Sequence, residues 1–276
     1  EEREMKIGFM LPVFGEMATS ANVVAMAQLA EERNFESIWV PDHVIMPVEV
    51  TTPYPYTKSA EYIADPKGNH LEPFTMLAFI AGCTERIRMG FTVIVAPYRN
   101  PIVTGKMMAS IDVLSKGRLI AGVGAGWLRE EFDALQVPFE KRWLRTEEHI
   151  RIWKELWTAE EPRFEGQFHR FSNVQCRPQP LQKPHPPITI GGNGKACFRR
   201  VVALADPRQI LTTGQTVRRL AHGSTGSTTQ GLGILFPELV PDRGVCGLNG
   251  IIMRRLAVPP AIQNQQHHRP GCLSLY

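Results

Sequence analysis

RMGFTVIVAPYRNPIVTGKMMASIDVLSKGRLIAGVG, residues 88–124, holds a complete strand–helix–strand unit. Arg88 to Ala96 is apolar and β-branched without alternation, the pattern of a strand covered on both faces. Pro101 fits the first position of a helix, where its fixed φ helps and its missing N–H costs nothing. That helix is predicted to run to Leu114, with Gly117 ending it. Arg118 to Gly124 is then a second buried strand. Two strands joined by a helical crossover are parallel.

The same rhythm extends in both directions. Upstream, Lys6 to Leu11 reads as a strand stopped by Pro12. Ser20 to Arg33 has apolar residues at Val23, Ala25, Met26, Leu29 and Ala30, a helical spacing with Ser20 as N-cap. Phe35 to Val40 is the next strand. About thirty residues with four prolines then precede a helix at Phe74 to Cys83, and loops of that length are usually functional or disordered. Downstream come an amphipathic helix from Glu140 to Trp157, a hairpin turn at Glu165-Gly166, a strand at Pro187 to Ile190 and a helix from Lys195 to Asp206. Five alternating units predict an α/β fold, either an open doubly wound sheet or an eightfold barrel.

Composition agrees with one large domain: 276 residues, 43% hydrophobic and 21% charged, enough to bury a sizeable core. No apolar run reaches the length of a membrane span, and the acidic start Glu1-Glu2-Arg3-Glu4 has the wrong sign for a secretory leader, so a cytoplasmic location is expected. Five cysteines without a CxxC pair indicate neither a disulfide framework nor a zinc site. Residues 207–276 carry seven Arg against one Asp and one Glu, +5 of the total +4, leaving −1 for residues 1–206. The body thus has no electrostatic footprint for nucleic acid. The tail from 207 is rich in Gly, Pro and Gln, and reads either as an irregular region or as the product of a slipped coding frame.

Ligands of parallel α/β folds bind beyond the carboxyl ends of the strands. Four clusters fall there: Asp42-His43, Thr92-Val93 with Pro97 to Asn100, Gly124-Ala125-Gly126-Trp127, and Gly191-Gly192-Asn193-Gly194. His43 is an acid/base candidate or a structural hydrogen-bonder, followed by a long loop able to act as a lid. The GxGxG at Gly122 to Gly126 would let a bulky ligand approach the backbone but lacks the dinucleotide fingerprint. The turn at Gly191 to Gly194 opens a helix, and it reads either as a phosphate site built on free N–H groups or as a plain tight turn from strand to helix. Trp127 reads as a cap on the barrel mouth, and Glu130 and Glu131 as solvated first-turn residues.

Taken together, SIWVPDHV (37–44), GFTVIVAPYRNP (90–101), DVLSKGRLIAGVGAGWLREEFDALQVPFEKR (112–142) and PPITIGG (186–192) resemble the luciferase-like family of flavin and deazaflavin oxidoreductases. The pattern is most similar to the branch using coenzyme F-420, over about residues 5–206. The resemblance implies a (β/α)8 TIM barrel whose first five strands lie in 5–206, with 207–276 as an atypical C-terminal region. It implies that His43 is catalytic beside the deazaflavin ring and that Asp42, Thr92, Val93, Gly124, Ala125, Gly126, Gly191, Gly192 and Gly194 bind the cofactor. Thr92–Val93 would be a non-prolyl cis peptide behind the ring. The resemblance also implies that some relatives which oxidise sugar phosphates carry a glutamate where Trp127 stands, so an apolar substrate is expected. The implied reaction is hydride transfer between coenzyme F-420 and a small organic molecule. The alternatives are an FMN-dependent monooxygenase of the same fold and an inactive cofactor-binding fragment. A homodimer is implied by the resemblance alone.

Overall fold

The computed structural model describes residues 7–11, 14–56, 60, 62, 65–192, 195–204, 210–212 and 231–235. The elements run β1 (Ile7–Met10), α1 (Ser20–Glu32), β2 (Ser37–Val40), α2 (Pro73–Cys83), β3 (Arg88–Phe91), β4 (Ile94–Val95), α3 (Pro101–Leu114), β5 (Leu119–Gly124), α4 (Arg129–Ala134), α5 (Arg142–Thr158), β6 (Phe164–Glu165), β7 (Arg170–Phe171), β8 (Ile188–Gly191), α6 (Lys195–Leu204), β9 (Ile210–Thr212) and β10 (Gly231–Leu235). The predicted strand at 88–96 is two pieces, β3 and β4, separated by Thr92 and Val93. The N-cap of α1 is Thr19, whose hydroxyl accepts from the Asn22 amide, and not Ser20.

All pairings of the main sheet are parallel. They run β3–β2–β1–β10–β9–β8–β5, and β5 pairs again with β3 through Met89↔Leu119 and Gly90↔Ile120. β4 lies beside the upper end of β5, through Ile94↔Val123 and Val95↔Gly124. Strands β9 and β10 continue this α/β barrel architecture past Asp206. β6 and β7 form the predicted hairpin.

Period-two alternation divides the strand residues into two sets. Ile38, Val40, Met89, Phe91, Leu119, Ala121, Val123, Ile188 and Ile190 join the helices in the large core. Trp39 and Ile120, with Met10 and Val93 against them, make a separate inner cluster. Glycines on the neighbouring strands make room for the indole: a Cβ on Gly8 would stand 2.4 Å from Trp39 Nε1, and one on Gly90 2.6 Å from its Cζ3. Trp39 Nε1 donates to Ser37 Oγ at 2.9 Å, so its polar atom is satisfied inside the barrel.

Outside, α3 and α5 pack through Trp153 and Trp157, whose indole N–H groups donate to the carbonyls of Pro101 and Gly105. At the end of the barrel away from the rim, the Arg118 guanidinium donates to the carbonyls of Ala81, Thr84 and Ile87, capping α2. Among the described residues no helix is long and apolar enough to cross a membrane.

Candidate active site

The rim is organised by two carboxylates. Asp42 follows β2 and is 3% exposed. Its Oδ2 accepts from the Val95 amide at 2.8 Å, tying the end of β2 to β4. Both oxygens also face Arg99, with Nη1–Oδ2 at 2.8 Å and Nη2–Oδ1 at 2.9 Å, a bidentate pair of the strong kind. Arg99 continues to Glu72 Oε1 at 3.1 Å and lies over the Phe74 ring. Burial pushes the Asp42 carboxyl up, against the pull of the Arg99 guanidinium and the Val95 amide. On Arg99 the order reverses: burial acts downward, but the carboxylates of Asp42 and Glu72 carry it up. With every oxygen engaged by the protein, Asp42 holds the rim together.

Glu131, on the first turn of α4, is the second carboxylate. It is not the solvated residue its sequence context suggests: it is fully buried. Its Oε1 accepts from the amides of Val44 and Ile45 at 2.7 and 3.2 Å, its Oε2 accepts from Tyr98 Oη at 2.9 Å, and His43 Nδ1 lies 2.8 Å from that same oxygen. Burial first, then the Glu131 charge, drives the Tyr98 phenol far upward. The other edge of His43 is closed by Tyr62, with Nε2 and Oη 3.1 Å apart. His43 therefore stands in a chain Glu131–His43–Tyr62.

Glu130 is also engaged. Its carboxylate accepts from the amides and hydroxyls of both Thr51 and Thr52, at 2.6 to 2.9 Å. Burial acts to raise its pKa, but these hydrogen bonds outweigh it and bring it down to about 2. The adjacent glutamates thus clamp the long loop after β2 at two points, 43–45 and 51–52. The loop's aromatic residues then pack on Trp127: Tyr54 and Tyr62 have ring centroids 5.0 and 5.1 Å from it and 5.2 Å from each other. Trp127 lies under the loop as part of an aromatic wall.

The peptide bond between Thr92 and Val93 is cis. The glycines around it have a different use from the one their spacing suggests. A Cβ on Gly124 would stand 2.4 Å from Val93 Cγ2, and one on Gly191 2.8 Å from Val93 Cγ1. The space they leave holds the protein's own valine, which sits between β5 and β8. Gly126 has φ +78°, where a side chain is strained, and a Cβ there would meet Val95 and Phe132. Ala125 is buried beside it. Gly192 also has positive φ, while Gly194 lies outside the described residues. On the inward face of β8, Thr189 Oγ1 is buried with no hydrogen-bond partner among the described residues.

The sequence reading thus finds His43, Asp42, Thr92–Val93 and the glycines of β5 and β8 at one end of one barrel. It places Tyr98 and Arg99 on that rim without giving them a role, and it misses Glu131 and Tyr62 as members. A glutamate pair opening a short helix usually marks solvent, and nothing local distinguishes the one that turns inward. Among the described residues no group of three or more His, Cys, Asp or Glu side chains is arranged to hold a metal ion.

The fold, with its rim lined by an Asp-His pair and a glycine-flanked bulge, is that of a luciferase-like α/β barrel. The model of the luciferase-like monooxygenase family matches residues 5–221, and the chain belongs to that family. An uncharacterized protein of Mycobacterium bovis is 34% identical over 183 residues, 66% of this chain and 64% of that protein. An FMNH(2)-dependent dimethylsulfone monooxygenase of Pseudomonas putida is 32% identical over 195 residues, 70% of this chain and 48% of that protein. The chain therefore spans less than two thirds of the length of these relatives. The solved structure of an F-420-dependent secondary alcohol dehydrogenase in complex with an F-420–acetone adduct superposes with TM-score 0.60 at 18% identity, over 76% of this chain and 58% of that one, a likeness of fold.

Proposed function

We propose that this protein is an oxidoreductase that transfers hydride between coenzyme F-420 and a small apolar organic substrate. The observation that carries the reading is His43, after β2 on the rim, with Nδ1 held 2.8 Å from buried Glu131. A hydride transfer that makes or consumes a hydroxyl needs a group to handle the accompanying proton, and an imidazole suits that task near neutral pH.

The residues present fit a tricyclic deazaflavin. Val93, seated between two glycines, offers an apolar wall, and the Thr189 hydroxyl, without a partner among the described residues, offers a hydrogen bond on the inner surface. Thr92, Val93, Gly124, Ala125 and Gly126 would flank the ring, and Gly191, Gly192 and Gly194 would approach the phosphate-bearing tail. Asp42 would act one step back, fixing β4 and Arg99. The bound deazaflavin would supply a carbon that accepts or gives hydride in a two-electron step. The chain's own part is to orient His43, to present the aromatic wall of Tyr54, Tyr62 and Trp127 to an apolar substrate, and to exclude water with the clamped loop.

The second reading, an FMN-dependent monooxygenase, is favoured by one observation: the Pseudomonas putida relative at 32% identity is FMNH(2)-dependent. Fluorescence titration of the purified chain with oxidised coenzyme F-420 and, separately, FMN distinguishes the two. Tight binding of F-420 alone is expected. Binding of FMN alone, with oxygen consumption once the flavin is reduced, overturns the first reading in favour of the second. Binding of neither overturns both. His43→Ala is expected to retain cofactor binding and lose turnover.

A further inference from the structure

We propose that Tyr62 is the group that exchanges a proton with the substrate, acting at the head of the chain Tyr62–His43–Glu131, with Glu131 as the positioning residue. The inference rests on the hydride-transfer reading above.

The direction of each hydrogen bond follows from the inventory of donors. Glu131 receives two backbone amides and the Tyr98 hydroxyl, so its carboxylate acts only as an acceptor. His43 Nδ1, 2.8 Å from Oε2, therefore carries the proton. A neutral imidazole protonated at Nδ1 has an acceptor at Nε2. Tyr62 Oη, 3.1 Å away, donates to it. Nε2 is thus already occupied by a phenol, and the lone pairs of Tyr62 Oη, which no other described residue engages, form the next acceptor in the chain.

Tyr62 is also the one member of the chain that belongs to the aromatic wall. Its ring centroid lies 5.1 Å from Trp127, 5.2 Å from Tyr54 and 5.6 Å from His43. Its hydroxyl consequently stands where the apolar surface meets the ionisable groups. An apolar substrate lying against that wall would bring its oxygen to Tyr62, and His43 would be reached through the phenol.

For a secondary alcohol the balance is complete. The carbinol C–H bond breaks and its electron pair leaves with hydrogen as hydride to the oxidised deazaflavin. The hydroxyl proton passes to Tyr62 Oη, and the proton Tyr62 gives up forms a bond to His43 Nε2. The products are a ketone, the reduced deazaflavin and an imidazolium facing the Glu131 carboxylate, which later releases its proton to water. Ketone reduction is the same sequence reversed.

The test combines a spectroscopic and a kinetic arm on the full chain. Nitrogen-15 NMR of histidine-labelled protein, assigned with His43→Gln, reads the His43 tautomer. The Nδ1–H form is expected in the wild type and in Tyr62→Phe, and a population of the Nε2–H form is expected in Glu131→Gln. Should Glu131→Gln fail to fold, Glu131→Asp, which shortens the reach, serves the same comparison. In the kinetic arm, with bound coenzyme F-420 and cyclohexanol or 1-phenylethanol as probe, Tyr62→Phe is expected to lower kcat about 100-fold or more with little change in KM, the scale of a lost acid/base group.

An Nε2–H tautomer in the wild type, or one indifferent to Glu131→Gln, overturns the chain. An unchanged kcat in Tyr62→Phe overturns the role of the phenol, and so does absence of turnover with either alcohol in wild-type protein that binds F-420. Failure of the wild type to bind F-420 removes the underlying reading and the relay with it, and is recognised separately by the titration.

Discussion

Gly124→Ala separates two uses of a rim glycine. If Gly124 exists to admit a ligand, a methyl there is harmless until the ligand arrives. In the structure the space is already taken, because the added Cβ would stand 2.4 Å from Val93 Cγ2 and 3.5 Å from Val93 Cβ. Contacts under 3.0 Å are essentially never seen for real Cβ atoms, so something must shift. Val93 has little room to do so, since its other methyl fills the space over Gly191. Overpacking of this kind costs about 1–3 kcal/mol. At roughly 2–4 °C per kcal/mol for a domain of this size, the thermal midpoint of the cofactor-free protein is expected to fall by about 2–12 °C. Val93→Ala removes the obstructing methyls, so in the double variant the loss from Gly124→Ala is expected to shrink, with a coupling of about 0.5–3 kcal/mol. Circular-dichroism melts of the four proteins without cofactor supply the measurement. A single variant that melts with the wild type and loses only cofactor affinity refutes the packing argument, and so does a double variant with strictly additive losses.

Other perturbations probe the rest of the rim. Asp42→Ala removes the bidentate partner of Arg99 and leaves it Glu72 at 3.1 Å, and it is expected to destabilise the fold by about 1.5–3 kcal/mol, the scale of lost hydrogen bonds between charged groups; a denaturant melt superimposable on the wild type would contradict it. Burial, and then neighbouring His169, bring His149 down to about 4. The unfolded chain therefore binds the extra proton first, and stability is lost as pH falls from about 6.5 towards 4. The difference corresponds to about 3 kcal/mol, which His149→Gln is expected to remove from the pH dependence of the melting temperature. For Glu130 the sign is that of a depressed carboxyl: its grip on Thr51 and Thr52 is intact above the ordinary carboxylate range and is lost as pH falls through about 2. Glu130→Ala is expected to speed proteolytic cleavage of the 43–56 loop at neutral pH, and equal cleavage rates would show that the clamp is not what holds it.

Much of the architecture is legible in local pattern. The helices at α2, α3 and α5 and the strands β1, β2, β5 and β8 follow from apolar runs bounded by Pro and Gly, within a residue or two of their observed ends. The break at Thr92–Val93 is not, because Arg88 to Ala96 is uniformly strand-forming and only the neighbours of Val93 reveal that two glycines receive it. The strands β9 and β10 are short, β10 with two glycines among its five residues, and they become strands by pairing with β8 and β1, a long-range term that local propensity does not contain.

The candidate site divides in the same way. Residue type and position after a strand are enough to pick out Asp42, His43 and the glycine turns, since parallel topology places strand ends together. What His43 does with its two nitrogens depends on Glu131, 88 residues away in sequence, and on Tyr62 folding back over it. Burial of Glu131 arises only when α4 closes on the loop after β2, and the glycines acquire their meaning only when Val93 arrives between them. Sequence by itself determined the strand order along the chain and the chemistry available at the rim, because both are properties of neighbours along the backbone. Tertiary structure decided which carboxylates are buried, which hydrogen bonds orient the histidine and what fills the space beside each glycine, because each of these is a contact between segments that no local pattern encodes.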